Sequence, residues 1–87
     1  MNPQELKKLK SEARNLDPII RLGKRGLTDS SINQIYLLLK KRRLVKVRFL
    51  QAFSEGADKD DAIKALAERT GAEVVSRIGS IVVLYLR

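Results

Sequence analysis

With 87 residues the chain has room for one small core and no second lobe, and it contains neither cysteine nor histidine. Disulfides, thiolate metal sites and thiol chemistry are excluded, and the commonest general base and metal ligand is missing. Eighteen Lys and Arg against ten Asp and Glu leave a net charge of +8, a strong field for so small a body and one that favours polyanionic partners if the cations cluster.

The chain opens with Asn2-Pro3-Gln4-Glu5, a helix start. Asn2 suits the cap, Pro3 the first helical position and Glu5 the place of a capping-box carboxylate. Leu6, Leu9, Ala13 and Leu16 then share one helical face, with Lys7, Lys8, Lys10 and Arg14 around the rest. Pro18 ends this helix by disfavouring the helical conformation at Asp17.

Pro18–Leu22 reads as a short apolar first strand, followed by the loop Gly23-Lys24-Arg25-Gly26. Thr28 or Asp29 caps a second helix that runs to about Arg43, with Ile32, Ile35, Tyr36 and Leu39 as its apolar stripe. Leu37 and Leu38 widen the stripe, which predicts burial on more than one side. The helix closes on Lys40-Lys41-Arg42-Arg43, cations that complement the dipole at a C-terminus.

Leu44–Leu50 alternates, with Val45, Val47 and Phe49 on one side and Lys46 and Arg48 on the other, the pattern of a second strand. Gln51–Ala57 reads as a loop containing Gly56. Asp58 caps a third helix, Asp61 sits in its first turn, and Gly71 ends it. Its apolar face is Ala62, Ile63, Leu66, Ala67 and Thr70. Glu73–Ile78 and Ile81–Leu86 read as strands joined by a Gly79-Ser80 hairpin turn. The last strand is apolar on both faces, which predicts cover on both. Right-handed β-α-β connections put the second and third helices on one face of the sheet and leave the first helix to cover part of the other. The expected fold is α/β, a single domain over 1–87 with the order α-β-α-β-α-β-β and a four-stranded mixed sheet.

Catalysis has little to work with. Glu55, Asp58, Asp60 and Asp61 form the one acidic cluster, but they surround a helix start, where acids are favoured, and lack the glycine spacing of a calcium loop. Ser30 and Ser31 have no partner base, and Tyr36 reads as core. No metal, cofactor or small-molecule substrate is expected. No segment is long and apolar enough to span a bilayer, and Met1–Lys10 lacks a signal-peptide core, so no membrane partner and a cytoplasmic location are expected.

The Gly23–Gly26 loop is different. It lacks the third glycine of a dinucleotide fingerprint and the Gly-Lys-Ser/Thr of a P-loop. It matches the G-x-x-G pattern that clamps a nucleotide backbone in single-strand RNA modules. The two glycines free the backbone for positive φ and close approach. Lys24 and Arg25 lie between them, Arg21 precedes them, and the helix opening at Thr28 aims its unpaired N–H groups at the same place.

Pro18-Ile19-Ile20-Arg21-Leu22-Gly23-Lys24-Arg25-Gly26-Leu27-Thr28, Leu44-Val45-Lys46-Val47, Thr70-Gly71-Ala72, Ile78-Gly79 and Val83-Leu84-Tyr85-Leu86-Arg87 together resemble the CRM domain, the chloroplast RNA splicing and ribosome maturation domain, in its stand-alone YhbY-like form. The resemblance implies a fold similar to the C-terminal domain of translation initiation factor three with an added N-terminal helix. It implies RNA binding through the G-x-x-G loop, and association with precursors of the large ribosomal subunit, as for bacterial members. The loop role falls on Gly23, Lys24, Arg25 and Gly26. Arg21, Lys46, Lys7, Lys8 and Lys10 match family positions that are basic without forming a motif and are further RNA-binding candidates, as is Thr28, which opens the adjoining helix. With two tyrosines and two phenylalanines, base stacking on aromatics is limited, which points to recognition by shape and backbone. Two alternatives fit the same charge and size: an architectural chromatin protein of the Alba kind, and a scaffold that binds an acidic or ribosomal protein.

Overall fold

The computed structural model describes residues 2–18, 20–54 and 58–87. The elements are α1 (Pro3–Arg14), β1 (Ile20–Leu22), α2 (Asp29–Arg42), β2 (Leu44–Phe49), α3 (Gln51–Ser54), α4 (Lys59–Thr70), β3 (Glu73–Ile78) and β4 (Ile81–Tyr85). The four strands form one mixed sheet in the order β1-β2-β4-β3. β1 runs parallel to β2, and β4 is antiparallel to both β2 and β3.

The helix ends follow local chemistry. Asn2 Oδ1 accepts from the Glu5 N–H at 2.7 Å, and Pro3 takes the first position of α1. The Glu5 carboxylate is turned instead to Arg87, at 2.8 Å. Asp58 caps α4 by accepting from the Asp60 N–H at 2.8 Å, and Gly71 closes it with φ of 77°. Thr70 is buried at this corner. Its hydroxyl donates to the Leu66 carbonyl at 2.7 Å and accepts from the Ala72 N–H at 3.3 Å, which satisfies a polar group inside the core.

The sheet separates two apolar clusters. On one face Ile20, Leu22, Val45, Val47, Phe49, Val82 and Leu84 pack against Ile32, Ile35 and Leu39 of α2 and Ala62, Ile63 and Leu66 of α4. On the other, Leu44, Val75 and Val83 meet Leu9 and Ala13 of α1, with Leu6, Leu16 and Tyr85 at the margin. A bulge in β3 between Val74 and Ser76 accommodates Val75 beneath α1. At about 1.5–3 kcal/mol for each fully buried aliphatic side chain, α1 is the more weakly held layer. The β4 side chains Val82, Val83 and Leu84 are buried on alternate faces, as a strand covered on both sides requires.

Four features depart from the sequence expectation. Residues 51–54 are the short helix α3 and not loop, because Phe53 is drawn into the larger core; Glu55, Gly56 and Ala57 lie outside the described residues. The first strand is confined to Ile20–Leu22, with Pro18 outside it and Ile19 outside the described residues. Tyr36 is 37% exposed and Leu37 58% exposed, so α2 buries one face and not two. The Tyr36 ring carries the Lys40 ammonium 5.6 Å from its centroid, on the solvent side. Finally, α2 stops at Arg42, and Arg43 makes the turn into β2 with φ of 68°.

Candidate nucleic-acid interface

The Gly23–Leu27 loop leaves the carboxyl end of β1 and delivers the chain to α2. The Gly26 N–H donates to the Gly23 carbonyl at 2.9 Å, closing a four-residue turn with Lys24 and Arg25 at its tip. Neither tip residue has positive φ, which excludes types I′, II and II′ and leaves the type I geometry, with glycine in its favoured last position. Both side chains are exposed. Only one of the two glycines is required by conformation. Gly26 has φ of 69°, whereas Gly23 does not occupy the left-handed region. The freedom expected at Gly23 is therefore not used.

The loop has an apolar floor. A Cβ on Gly23 would meet Leu50 Cδ1 at 3.5 Å, and one on Gly26 would meet Phe53 Cε2 at 3.7 Å. The Leu50 N–H donates to the Leu22 carbonyl at 2.8 Å, extending the pairing of β1 with β2 beneath the turn. Phe53 packs edge-on against Phe49, with ring centroids 4.9 Å apart.

Beyond the turn, Thr28 caps α2 through a reciprocal box in which Ser31 takes the place of the usual Glu or Gln. Thr28 Oγ1 accepts from the Ser31 N–H at 3.1 Å, and Ser31 Oγ accepts from the Thr28 N–H at 2.9 Å. Thr28 is thus a structural cap. The N–H groups of Asp29 and Ser30 in the first turn have no intrahelical acceptor. Together the loop and the start of α2 enclose an open cleft of about 540 Å³, lined by Arg21, Lys24 and Arg25 on one side and Thr28, Ser30 and Gln34 on the other.

The cleft is electropositive. Among the described residues, Arg21, Lys24 and Arg25 form no ion pair, and the helix dipole adds partial positive charge. Asp29 is the acid of the first turn, and its carboxylate is engaged 2.8 Å from Arg69 of α4. The acidic residues at the start of α4 do not gather: Asp58 caps, Asp60 pairs with Arg77, and among the described residues no metal-binding group of three or more His, Cys, Asp or Glu occurs.

The remaining basic candidates do not join this cleft. Lys7, Lys8 and Lys10 are exposed on α1, across the sheet from α2. Lys46 points to the same side and is half-buried, with its ammonium donating to the carbonyls of Ala13 and Leu16, each at 3.0 Å. It closes the C-terminus of α1, an arrangement strand alternation could not disclose, since it depends on which helix crosses that face.

A family model for the CRS1/YhbY (CRM) domain matches residues 1–86. The chain belongs to that family. It is 42% identical over 77 residues to the probable RNA-binding protein YqeI of Bacillus subtilis strain 168, covering 88% of this chain and 78% of that protein. An RNA-binding protein of Haemophilus influenzae is 38% identical over 77 residues, covering 88% of this chain and 76% of the relative. The probable RNA-binding protein MJ0652 of Methanocaldococcus jannaschii is 34% identical over the same length, and the match covers 57% of it. The CRM fold is also seen in the solution structure of SAV1595, an RNA-binding candidate from Staphylococcus aureus. That structure is 34% identical, aligns with a TM-score of 0.79, and covers 100% of this chain and 88% of its own.

Proposed function

We propose that this CRM-domain chain is a non-catalytic RNA-binding module that holds the phosphate backbone in the cleft between the Gly23–Gly26 turn and α2, and that its RNA is ribosomal, met during assembly of the large subunit. The observation that carries the reading is the cleft itself: two exposed cations at the tip of a fixed turn, a third at Arg21, and a helix start with two unused N–H groups. The RNA-binding designation of relatives from two bacteria and an archaeon supports RNA as the partner. The ribosomal assignment rests on the resemblance to bacterial CRM proteins that associate with large-subunit precursors.

In this reading Lys24 and Arg25 neutralise adjacent phosphates while the backbone N–H groups of Asp29 and Ser30 donate to the oxygens of one of them. The contacts are to backbone, so affinity depends steeply on salt and weakly on sequence. Arg21 flanks the path. Lys46 is left out, because its ammonium is already engaged.

The test is the Lys24→Ala/Arg25→Ala double variant. Each lost phosphate contact lowers the slope of log K against log salt by about 0.7–0.9, so the double variant loses somewhat under two units. Folding is retained, because both side chains are exposed. In lysate run on a sucrose gradient, the parent co-migrates with large-subunit precursors at low salt and the variant does not. A parent slope in the variant refutes the loop clamp; a parent protein that never leaves the top of the gradient refutes the ribosomal assignment.

A further inference from the structure

On the sheet face that carries α1, strand registers set four side chains in one row at the loop end. Arg21 lies beside Arg48, Arg48 opposite Ile81, and Ile81 opposite Ile78. At about 4.8 Å between strands, the row spans roughly 14 Å. α1 covers Leu44, Val75 and Val83 further down the face and leaves this row open. Arg21 and Arg48 are both exposed, and Ile78 is 79% exposed.

The row is costly as it stands. Like charges side by side on neighbouring strands repel, and among the described residues neither arginine has a carboxylate partner. A large isoleucine in water gains nothing. Between the row and α1 lies a groove of about 370 Å³ with Lys10 and Arg14 on its helical wall and Ile78, Ile81 and Val83 on its floor. No carboxylate lines it among the described residues. Arg21 also lines the loop cleft, so the row and the cleft meet at that residue.

We infer that this groove is a second RNA contact, which takes a single-stranded segment running on from the loop. A single strand combines what the groove and the adjoining row lack: phosphates for Lys10 and Arg14 on the groove wall and for Arg48 beside Ile81 in the row, and flat apolar base faces for Ile78 and Ile81. The inference rests on the reading of the chain as an RNA binder, but it uses residues outside the loop cleft.

The test compares two RNA probes by fluorescence anisotropy: a blunt hairpin, and the same hairpin with an oligouridylate tail of about ten nucleotides, within the site size of single-strand grooves. The parent binds the tailed probe more tightly. Arg48→Ala/Ile78→Ser, both at exposed positions, abolishes that gain, lowers the salt slope for the tailed probe by about 0.7, and leaves blunt-hairpin binding unchanged. Lys24→Ala/Arg25→Ala weakens both probes. Should the loop variant weaken neither while the groove variant still removes the tail gain, the loop clamp fails and the groove stands. The groove is overturned if the parent shows no tail gain, or if Arg48→Ala/Ile78→Ser keeps it. It is also overturned if polyglutamate of matched charge displaces the tailed probe as well as free oligouridylate does, which would mark an acidic-protein site.

Discussion

Lys46→Met separates a structural cation from a binding one. The ammonium donates to the carbonyls of Ala13 and Leu16 at the end of α1, where the Ala13 carbonyl also accepts from the Leu16 N–H at 3.1 Å. Methionine retains the apolar stem in the sheet and removes the charge. Two charge-assisted bonds and a favourable dipole contact are lost, but the site is half-buried and water can replace part of them, so the cost is about 1–2 kcal/mol. For a domain of this size that lowers Tm by about 5–15 °C. The loss concentrates in α1, which is anchored by the buried Leu9 and Ala13, so amide exchange rises there before it rises in β2 or β4. Urea unfolding measures the stability, and an RNA titration across salt measures the binding. The expected outcome is a destabilised protein with the parent salt slope. Unchanged stability together with a slope lower by about 0.7–0.9 would refute the capping role and return Lys46 to the RNA interface.

The two loop glycines respond differently to alanine. Gly26→Ala forces a side chain into positive φ and costs about 1–2 kcal/mol, whereas Gly23→Ala meets only the end of Leu50 at an ordinary distance and is neutral or slightly stabilising; equal urea midpoints would contradict this. Asp29→Asn removes the acid of the α2 first turn, beside the proposed phosphate site. A unit charge about 6 Å from a phosphate in water contributes about 0.7 kcal/mol of repulsion, so RNA Kd falls about threefold at low salt and less at high salt. The exposed pair with Arg69 costs little on breaking, and unchanged low-salt affinity would sink the electrostatic picture of the cleft.

Elements whose signal is periodic or local were legible in the sequence. Alternation along Leu44–Phe49 placed Val45, Val47 and Phe49 inward, and Asn2, Thr28, Asp58 and Gly71 marked helix ends through side-chain or backbone chemistry that acts within a few residues. α3 was not legible, because four residues carry no period; its sign was a lone phenylalanine in a supposed loop. Helical spacing gave the direction of the α2 stripe but not its width, which depends on how far α4 reaches around it, and so Tyr36 and Leu37 were misplaced. The loop cleft was visible as Gly-Lys-Arg-Gly before a cap. Lys46 at the end of α1 and Arg48 beside Arg21 were not, since the first follows from helix placement and the second from strand register.

The segment that sequence patterning missed is also the one that gives the loop its form. A basic turn on flexible backbone would have to be ordered by its ligand, and that ordering would subtract from affinity. Here α3 follows β2 after a single residue, and Phe53 returns under the turn to lie against Phe49 and beneath Gly26. Leu50 sits below Gly23 and is tied to β1 through the Leu22 carbonyl. The floor is therefore part of the larger core, and the turn rides on it with its cations outward. Burial of Phe53 and the spacing of Lys24 and Arg25 are thus coupled: the core fixes where the turn sits, and the turn fixes where the charges stand relative to the start of α2. The glycine pair serves this arrangement unequally: Gly26 is required by its conformation, whereas a Cβ on Gly23 would only rest on Leu50 at an ordinary 3.5 Å. In the proposed binding mode a phosphate backbone would meet donors already in position, the cost of arranging them having been met during folding.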